Sequence, residues 1–229
     1  WLSEAAVDTR TLDLLAQAGI RFTILAPRQA REIAPQDRED WSPAHEGNLD
    51  IRQPYLVELP QGRSIAVYFY DGPLSQAVAF EGLLRHGDSF WGRLASLAGS
   101  GQSGSGLLAL ATDGETYGHH FKFGEMALAH ALSQARAGAD GVELTNYAAY
   151  LAENPPRRRA RIHENSSWSC AHGVERWRAD CGCATEHKPG WNQRWRGPLR
   201  NGLNAVKARL DAHFLDLGAR LFHNPEAAL

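Results

Sequence analysis

Residues 107–120, LLALATDGETYGHH, constrain the fold more than any other part of the chain. The segment begins with five consecutive apolar residues, a pattern that predicts a strand buried on both faces of a parallel sheet. Asp113 ends this run, and Glu115, His119 and His120 follow. Because such folds place their functional groups at the carboxyl ends of strands, we expect Asp113 at the edge of a pocket. An ordinary Asp-Gly turn is the alternative interpretation.

The rest of the chain alternates predicted strands and helices, which indicates a parallel α/β architecture. Strands are predicted over 21–26, 55–59, 64–70 and 141–145, with a hairpin joining the second and third of these. Helices are predicted over 9–18, 74–86, 125–137 and 201–217, and Asp8 and Asn146 are predicted caps. The connection over 28–53 is predicted to be irregular, and its length predicts a lid or binding loop. The Gly/Ser-rich segment 99–106 predicts a solvent loop.

Composition narrows the function classes. The chain has 229 residues, enough for one good-sized domain, and its formal net charge of −2 gives no long-range attraction to nucleic acid or to an anionic membrane. No apolar stretch approaches the ~20 residues that span a bilayer. The three cysteines are Cys170, Cys181 and Cys183, an odd number in one segment, which favours a reducing cytoplasm over a secreted disulfide scaffold. We expect no nucleic-acid or membrane partner, and the oligomeric state stays open.

Three segments together resemble glycoside hydrolase family 57. The spacing of Asp113, Glu115, Gly118 and His119 is similar to the family's fourth motif, and residues 1–6, WLSEAA, are similar to its third motif, a Trp-Leu-x-Glu strand end. Residues 163–183 are similar to the loop that closes the family's active site. The sequence of this loop most resembles that of an uncharacterised subgroup that carries domain of unknown function 3536. The family's first two motifs would precede residue 1, so we expect an internal fragment that aggregates or is inactive when expressed alone.

The resemblance implies an α/β fold, namely a partial (β/α)7 barrel with the start of a C-terminal helical region and without the N-terminal strands. Residues 1–155 would form the C-terminal part of the catalytic barrel, and residues 156–229 the active-site-closing loop and helical region. The implied activity is that of a retaining enzyme on α-glucan or oligosaccharide, of amylase, 4-α-glucanotransferase or branching type. Glu4 would be the nucleophile and Asp113 the general acid/base, with no cofactor. Such a pair needs carboxyl groups ~5 to 5.5 Å apart.

Aromatic and polar side chains in the matched segments are predicted to bind substrate. Sugar rings stack their C–H faces on aromatic planes, and the chain has seven tryptophans and six tyrosines. Trp1 and Trp168 are the predicted ring platforms, although core packing is an equal alternative for any single tryptophan. Glu115 is predicted to orient a catalytic group or accept a hydroxyl. The other predicted substrate contacts are Tyr117, His119, His120, His172 and Trp177.

Three other interpretations stay open. Cys170, His172, Cys181 and Cys183 offer a Cys3His zinc set, but a Cys-x-Cys pair is tight for one ion, so buried free thiols and no metal are expected. A metal-dependent polysaccharide deacetylase would use an Asp with two histidines, and the adjacent His119 and His120 argue against it. A non-catalytic carbohydrate-binding protein is the third possibility.

Overall fold

The computed structural model describes residues 1–99, 106–184 and 188–228. These residues form two compact units, Trp1–Trp168 and Ser169–Leu229. The predicted solvent loop over 99–106 falls almost entirely on residues 100–105, outside the described residues. No helix among the described residues is both long and apolar enough to cross a bilayer. The division of functional parts at residues 155 and 156 stays a prediction.

The first unit is built on one mixed six-stranded sheet with the order β1-β5-β4-β6-β2-β3. Its strands are β1 (Phe22–Leu25), β2 (Ala30–Pro35), β3 (Ser42–Pro43), β4 (Tyr55–Glu58), β5 (Ser64–Phe69) and β6 (Arg158–Ile162). Only the β1/β5 and β4/β6 pairs are parallel, so the prediction of a parallel sheet is correct for these two pairs alone. The predicted hairpin is confirmed as the antiparallel β4/β5 pair, joined around a 3-10 turn at Pro60–Gly62.

Three stretches of the strand prediction are wrong. The connection over 28–53, predicted to be irregular, contains β2 and β3, which pair with each other, and β2 also pairs with β6. Residues 107–111 are extended but belong to no strand, because their backbone bonds go to loops and a side chain: Leu107 N–H donates to the Arg52 carbonyl (3.0 Å) and Ala111 N–H to Ser75 Oγ (3.0 Å). Residues 141–145 form no strand either.

Seven α-helices are described: α1 (Thr9–Gln17), α2 (Gly72–Phe80), α3 (Gly87–Gly99), α4 (Gly124–Arg136), α5 (Tyr147–Glu153), α6 (Arg196–Gly218) and α7 (Pro225–Ala228). The predicted caps are confirmed, since Asp8 accepts from Thr11 N–H (2.7 Å) and Asn146 from Ala149 N–H (3.0 Å). The helix predicted over 74–86 corresponds to α2, which ends earlier than predicted, at Phe80. Gly82 then adopts φ +74°, a left-handed conformation that stops a helix.

The largest hydrophobic core lies between the sheet and α1. It contains side chains with no measurable exposure from α1, β1, β2, β4 and β5: Leu12, Leu25, Ile33, Tyr55, Val67 and Phe69. Burial raises the pKa of Tyr55 to about 12, and its hydroxyl accepts a hydrogen bond from Asp50 N–H (2.9 Å). This core fixes the carboxyl ends of β1 and β5 next to one another, and the turns that follow them reach the candidate site.

Candidate active site

Glu4 lies on a strained turn. It occupies the 3-10 segment Ser3–Ala5 with φ 60° and ψ 14°, and Ala5 follows with φ 46°. Non-glycine residues in this left-handed region cost ~1–3 kcal/mol each and persist only when their surroundings hold them. The expected strand end at Glu4 is therefore wrong in detail, since the carboxylate is presented by a turn.

Trp168 donates two hydrogen bonds to Glu4 in this turn. Its backbone N–H donates to the Glu4 carbonyl (3.0 Å), and its indole Nε1–H donates to Glu4 Oε2 (3.1 Å). Glu4 is exposed and Trp168 is half-buried. The indole N–H therefore orients the Glu4 carboxylate.

Gln29 also holds the Glu4 turn through hydrogen bonds. The sequence analysis did not select this residue. It is fully buried in the turn that follows β1. Its Nε2 donates to the Ala5 carbonyl (2.8 Å) and to Ser166 Oγ (3.1 Å), while its Oε1 accepts from Ala26 N–H (2.9 Å). Its position directly after a predicted strand was a usable signal, because polar residues at such positions line sites in α/β folds.

Both predicted ring platforms are present and touch each other. Trp1 is 62% exposed, and its ring meets the Trp168 ring edge-on at a centroid distance of 5.0 Å. Trp168 in turn meets Tyr70 edge-on at 6.2 Å. Burial raises the pKa of Tyr70, and the positive charge of Arg28 acts against that rise. The three rings form one aromatic cluster beside Glu4, in which Trp1 is exposed, Trp168 is half-buried and Tyr70 is buried.

Asp113 lies at the start of a 3-10 turn, Gly114–Thr116, and is exposed. Its carbonyl accepts from Thr116 N–H (3.1 Å). The Glu115 carbonyl accepts from the backbone N–H groups of both His119 (3.1 Å) and His120 (2.9 Å), which brings the two imidazole rings to 5.2 Å. The turn therefore presents Asp113, Glu115 and both histidines to solvent.

A cleft of about 430 Å³ lies beside the candidate site, and its lining includes Trp1 and Thr112 but neither Glu4 nor Asp113. Its lining includes Trp1 from the Glu4 side and, from the Asp113 side, Thr112 and Tyr117, whose hydroxyl groups are 3.1 Å apart. Tyr147, the first residue of α5, also lines the cleft, and the sequence pattern gave no reason to select it beyond its aromatic ring. Trp1 and Tyr117 therefore line the same cleft, and substrate contact by either residue stays a prediction.

His172 and Trp177 belong to the second unit. His172 Nδ1 lies 3.4 Å from Cys183 Sγ, so its described neighbour is a thiol. Trp177 ends the 3-10 segment Glu175–Trp177, and the Arg176 guanidinium lies 5.7 Å from its ring centroid. Substrate contact by these two residues stays a prediction.

The three cysteines gather with His172. Cys170 Sγ lies 3.7 Å from Cys183 Sγ and 4.0 Å from Cys181 Sγ, and all three are free thiols. The Cys-x-Cys pair was expected to be tight for one ion, but the ligand atoms of Cys170, His172, Cys181 and Cys183 all lie within 4.8 Å of one another. Cys170 is buried as expected, but Cys181 and Cys183 are half-buried. Burial favours the neutral Cys170 thiol, yet hydrogen bonds from the backbone of Arg176 and His172 and from the Cys183 and Cys181 thiols together outweigh it and bring its pKa to about 7.

Comparison with sequence profiles identifies the family of the chain. The sequence profile of glycosyl hydrolase family 57 matches residues 1–163, which include both carboxylates. The chain belongs to glycosyl hydrolase family 57. The profile of a domain of unknown function, DUF3536, matches residues 191–229, so the predicted subgroup is confirmed as well. No curated protein sequence matches the chain significantly.

Two solved structures have a similar fold. A 4-alpha-glucanotransferase from Thermococcus litoralis superposes with a TM-score of 0.56 at 19% identity over 79% of this chain. An exo-type maltose-forming amylase from Pyrococcus sp. ST04 superposes with a TM-score of 0.66 at 15% identity over 99% of this chain. The chain spans 26% of the length of the first protein and 40% of the second. At these identities the likeness concerns the fold.

Proposed function

We propose that this chain carries the two catalytic carboxylates of a retaining enzyme that acts on α-glucan. The main support is the hydrogen bond from the Trp168 indole to Glu4 Oε2 beside the exposed Trp1 ring, because Glu4 lies in the segment that matches glycosyl hydrolase family 57. The names of the two similar structures, a glucanotransferase and an amylase, support glucan as the substrate class.

Glu4 attacks the anomeric carbon in the first step and forms a covalent glycosyl-enzyme bond. The bond from that carbon to the glycosidic oxygen breaks, and Asp113 donates its proton to the departing oxygen. In the second step Asp113 takes a proton from water or from a sugar hydroxyl, which attacks the same carbon and releases Glu4. Water gives hydrolysis, and a sugar hydroxyl gives transfer or branching.

The cleft contains the surfaces that such a substrate needs. Trp1 and Tyr147 contribute aromatic faces for sugar rings, and Thr112 and Tyr117 contribute hydroxyl groups. We further propose that the mixed sheet is part of an incomplete (β/α)7 barrel, with residues 1–155 in the barrel and residues 156–229 in the closing loop and helical region. The family match and the fold of the amylase support this larger architecture.

The deacetylase alternative has no geometric support. Among the described residues, the one grouping of three or more possible metal ligands is the cysteine cluster in the second unit. Asp113, His119 and His120 do not belong to that grouping, which counts against a metal-dependent deacetylase.

Two variants of the full-length protein test the roles. Asp113→Asn should slow cleavage of amylose ~10³-fold because the acid is lost, but slow cleavage of an α-glucosyl fluoride far less, since fluoride departs without protonation. Glu4→Gln should abolish both activities. The matched controls Asp37→Asn and Glu81→Gln remove exposed carboxylates elsewhere and should leave both rates unchanged. Equal loss on both substrates in Asp113→Asn would contradict the acid assignment.

A further inference from the structure

The second unit contains almost no buried side chains to stabilise it. Within 169–184 and 188–228, Cys170 and Gly218 are the only buried residues. The long helix α6 exposes most of its apolar side chains, including Leu203 and Leu210 at half or more of their surface. A segment that buries so little apolar surface usually requires a disulfide or a metal ion to hold a defined fold.

The four side chains around Cys170 have the geometry of a tetrahedral metal site. The three Sγ atoms and one imidazole nitrogen all lie within 4.8 Å of one another. With Zn–S ≈ 2.3 Å and Zn–N ≈ 2.0–2.1 Å, a tetrahedron places sulfur atoms about 3.8 Å apart and sulfur and nitrogen about 3.5 Å apart. The observed Sγ–Sγ distances are 3.7 and 4.0 Å, and Cys183 Sγ lies 3.4 Å from His172 Nδ1.

We propose that Cys170, His172, Cys181 and Cys183 bind one zinc ion that stabilises the fold of residues 169–229. Binding converts three thiols into thiolates and releases three protons, while His172 coordinates as a neutral imidazole through Nδ1. The four protein ligands complete the tetrahedron and leave no position for water or substrate. The ion is therefore structural, and the inference is independent of the proposed glucan chemistry.

The groups that hydrogen-bond to the ligand residues are consistent with a bound zinc ion. Backbone groups of His172 and Arg176 hydrogen-bond to the Cys170 sulfur, and such donors stabilise a thiolate bound to metal. The Cys183 carbonyl accepts from Gln193 Nε2 (2.8 Å) and from Arg196 Nη1 (3.2 Å), which fixes the Cys-x-Cys turn. Zinc with three thiolates carries a net charge of −1, and the Arg196 guanidinium offsets that charge.

A disulfide is the competing explanation for the cluster. The Sγ atoms are 3.7 Å or more apart in the measured pairs, well beyond the ~2.05 Å of an S–S bond. An odd number of cysteines would also leave one thiol over, whereas a Cys3His set uses all three. The convergence of an imidazole nitrogen on the same point favours a metal.

Metal content of the purified full-length protein tests the proposal. We expect about one zinc per chain by elemental analysis, and a Co²⁺-substituted sample with the intense visible bands of tetrahedral thiolate coordination. Cys181→Ser and His172→Ala should each weaken zinc affinity by on the order of 100-fold or more. Both positions are at least partly exposed, so these variants avoid the packing cost of replacing Cys170.

His213→Ala is the matched control, because His213 is an exposed histidine of α6 in the same unit. It should retain full zinc content. Reduced protein with no zinc and no tetrahedral Co²⁺ spectrum would overturn the proposal, as would a Cys170–Cys183 disulfide found by mass spectrometry. Zinc content equal in His172→Ala and in the wild type would also overturn it. None of these readouts depends on glucan activity, so this proposal and the proposed function fail separately.

Discussion

Replacement of Gln29 by leucine should destabilise the first unit strongly. Gln29 is fully buried, and its amide makes three hydrogen bonds, to Ala5, Ala26 and Ser166. Leucine fills nearly the same volume but offers no donor or acceptor. The change therefore isolates the polar contribution from a cavity effect.

The expected loss follows from the number of bonds. Each intramolecular hydrogen bond contributes ~1 kcal/mol net, so three give about 3 kcal/mol. Ala5 and Ala26 are themselves buried, so the Ala5 carbonyl and the Ala26 N–H would stay without solvent and raise the loss towards ~5 kcal/mol. Release of the strained Glu4 turn returns part of this energy, ~1–3 kcal/mol. We expect a net decrease of about 2–4 kcal/mol in the free energy of unfolding.

Urea unfolding of Gln29→Leu, followed by tryptophan fluorescence, measures this change. Hydrogen exchange should show faster exchange of the Ala26 amide, which loses its acceptor. Gln17→Leu is the matched control, because Gln17 is exposed and makes one side-chain bond, to Asp13 (2.8 Å); its loss should be below ~0.5 kcal/mol. Equal destabilisation by both variants would refute the assignment of Gln29 as the anchor of the Glu4 turn.

Trp168→Phe keeps an aromatic ring against Trp1 but removes the indole donor to Glu4, so the rate of glycosyl-enzyme formation should fall ~10-fold. Trp41→Phe, which removes an indole bond to a different carboxylate, should leave that rate unchanged, and equal loss in both would count against the assignment. Asp13 has a pKa below its ordinary 3.8 because Arg63 donates hydrogen bonds to it. Its contribution to stability is full above the unfolded pKa and is lost as pH falls through the lowered folded value. In urea unfolding, the free energy of unfolding of Asp13→Asn should therefore fall less than that of the wild type as the pH decreases from about 5 to about 2. An equal fall in the variant and in the wild type would refute this role.

Local sequence signals predicted the elements whose stability is local. The caps at Asp8 and Asn146 and the hairpin around Pro60–Gly62 are confirmed, because turn and cap chemistry acts within a few residues. The apolar run over 107–111 has the sequence pattern of a buried strand. Burial also selects apolar residues in segments that lie outside a sheet, so the pattern alone does not distinguish the two. The partners of this run, Arg52 and Ser75, are far away in the sequence.

The sequence by itself determined the family motifs around Glu4 and Asp113, since residue type and spacing carry them, and it selected Trp1, Tyr117 and Trp168 for the site. Tertiary structure alone decided that Trp168 donates to Glu4, that Gln29 fixes the turn beneath it, and that three thiols and an imidazole converge on one point. These contacts join residues brought together by burial of the core and by chain crossings. The spacing of these residues along the chain does not predict such contacts, because hydrogen-bond and metal-ligand geometry depends on distance in space.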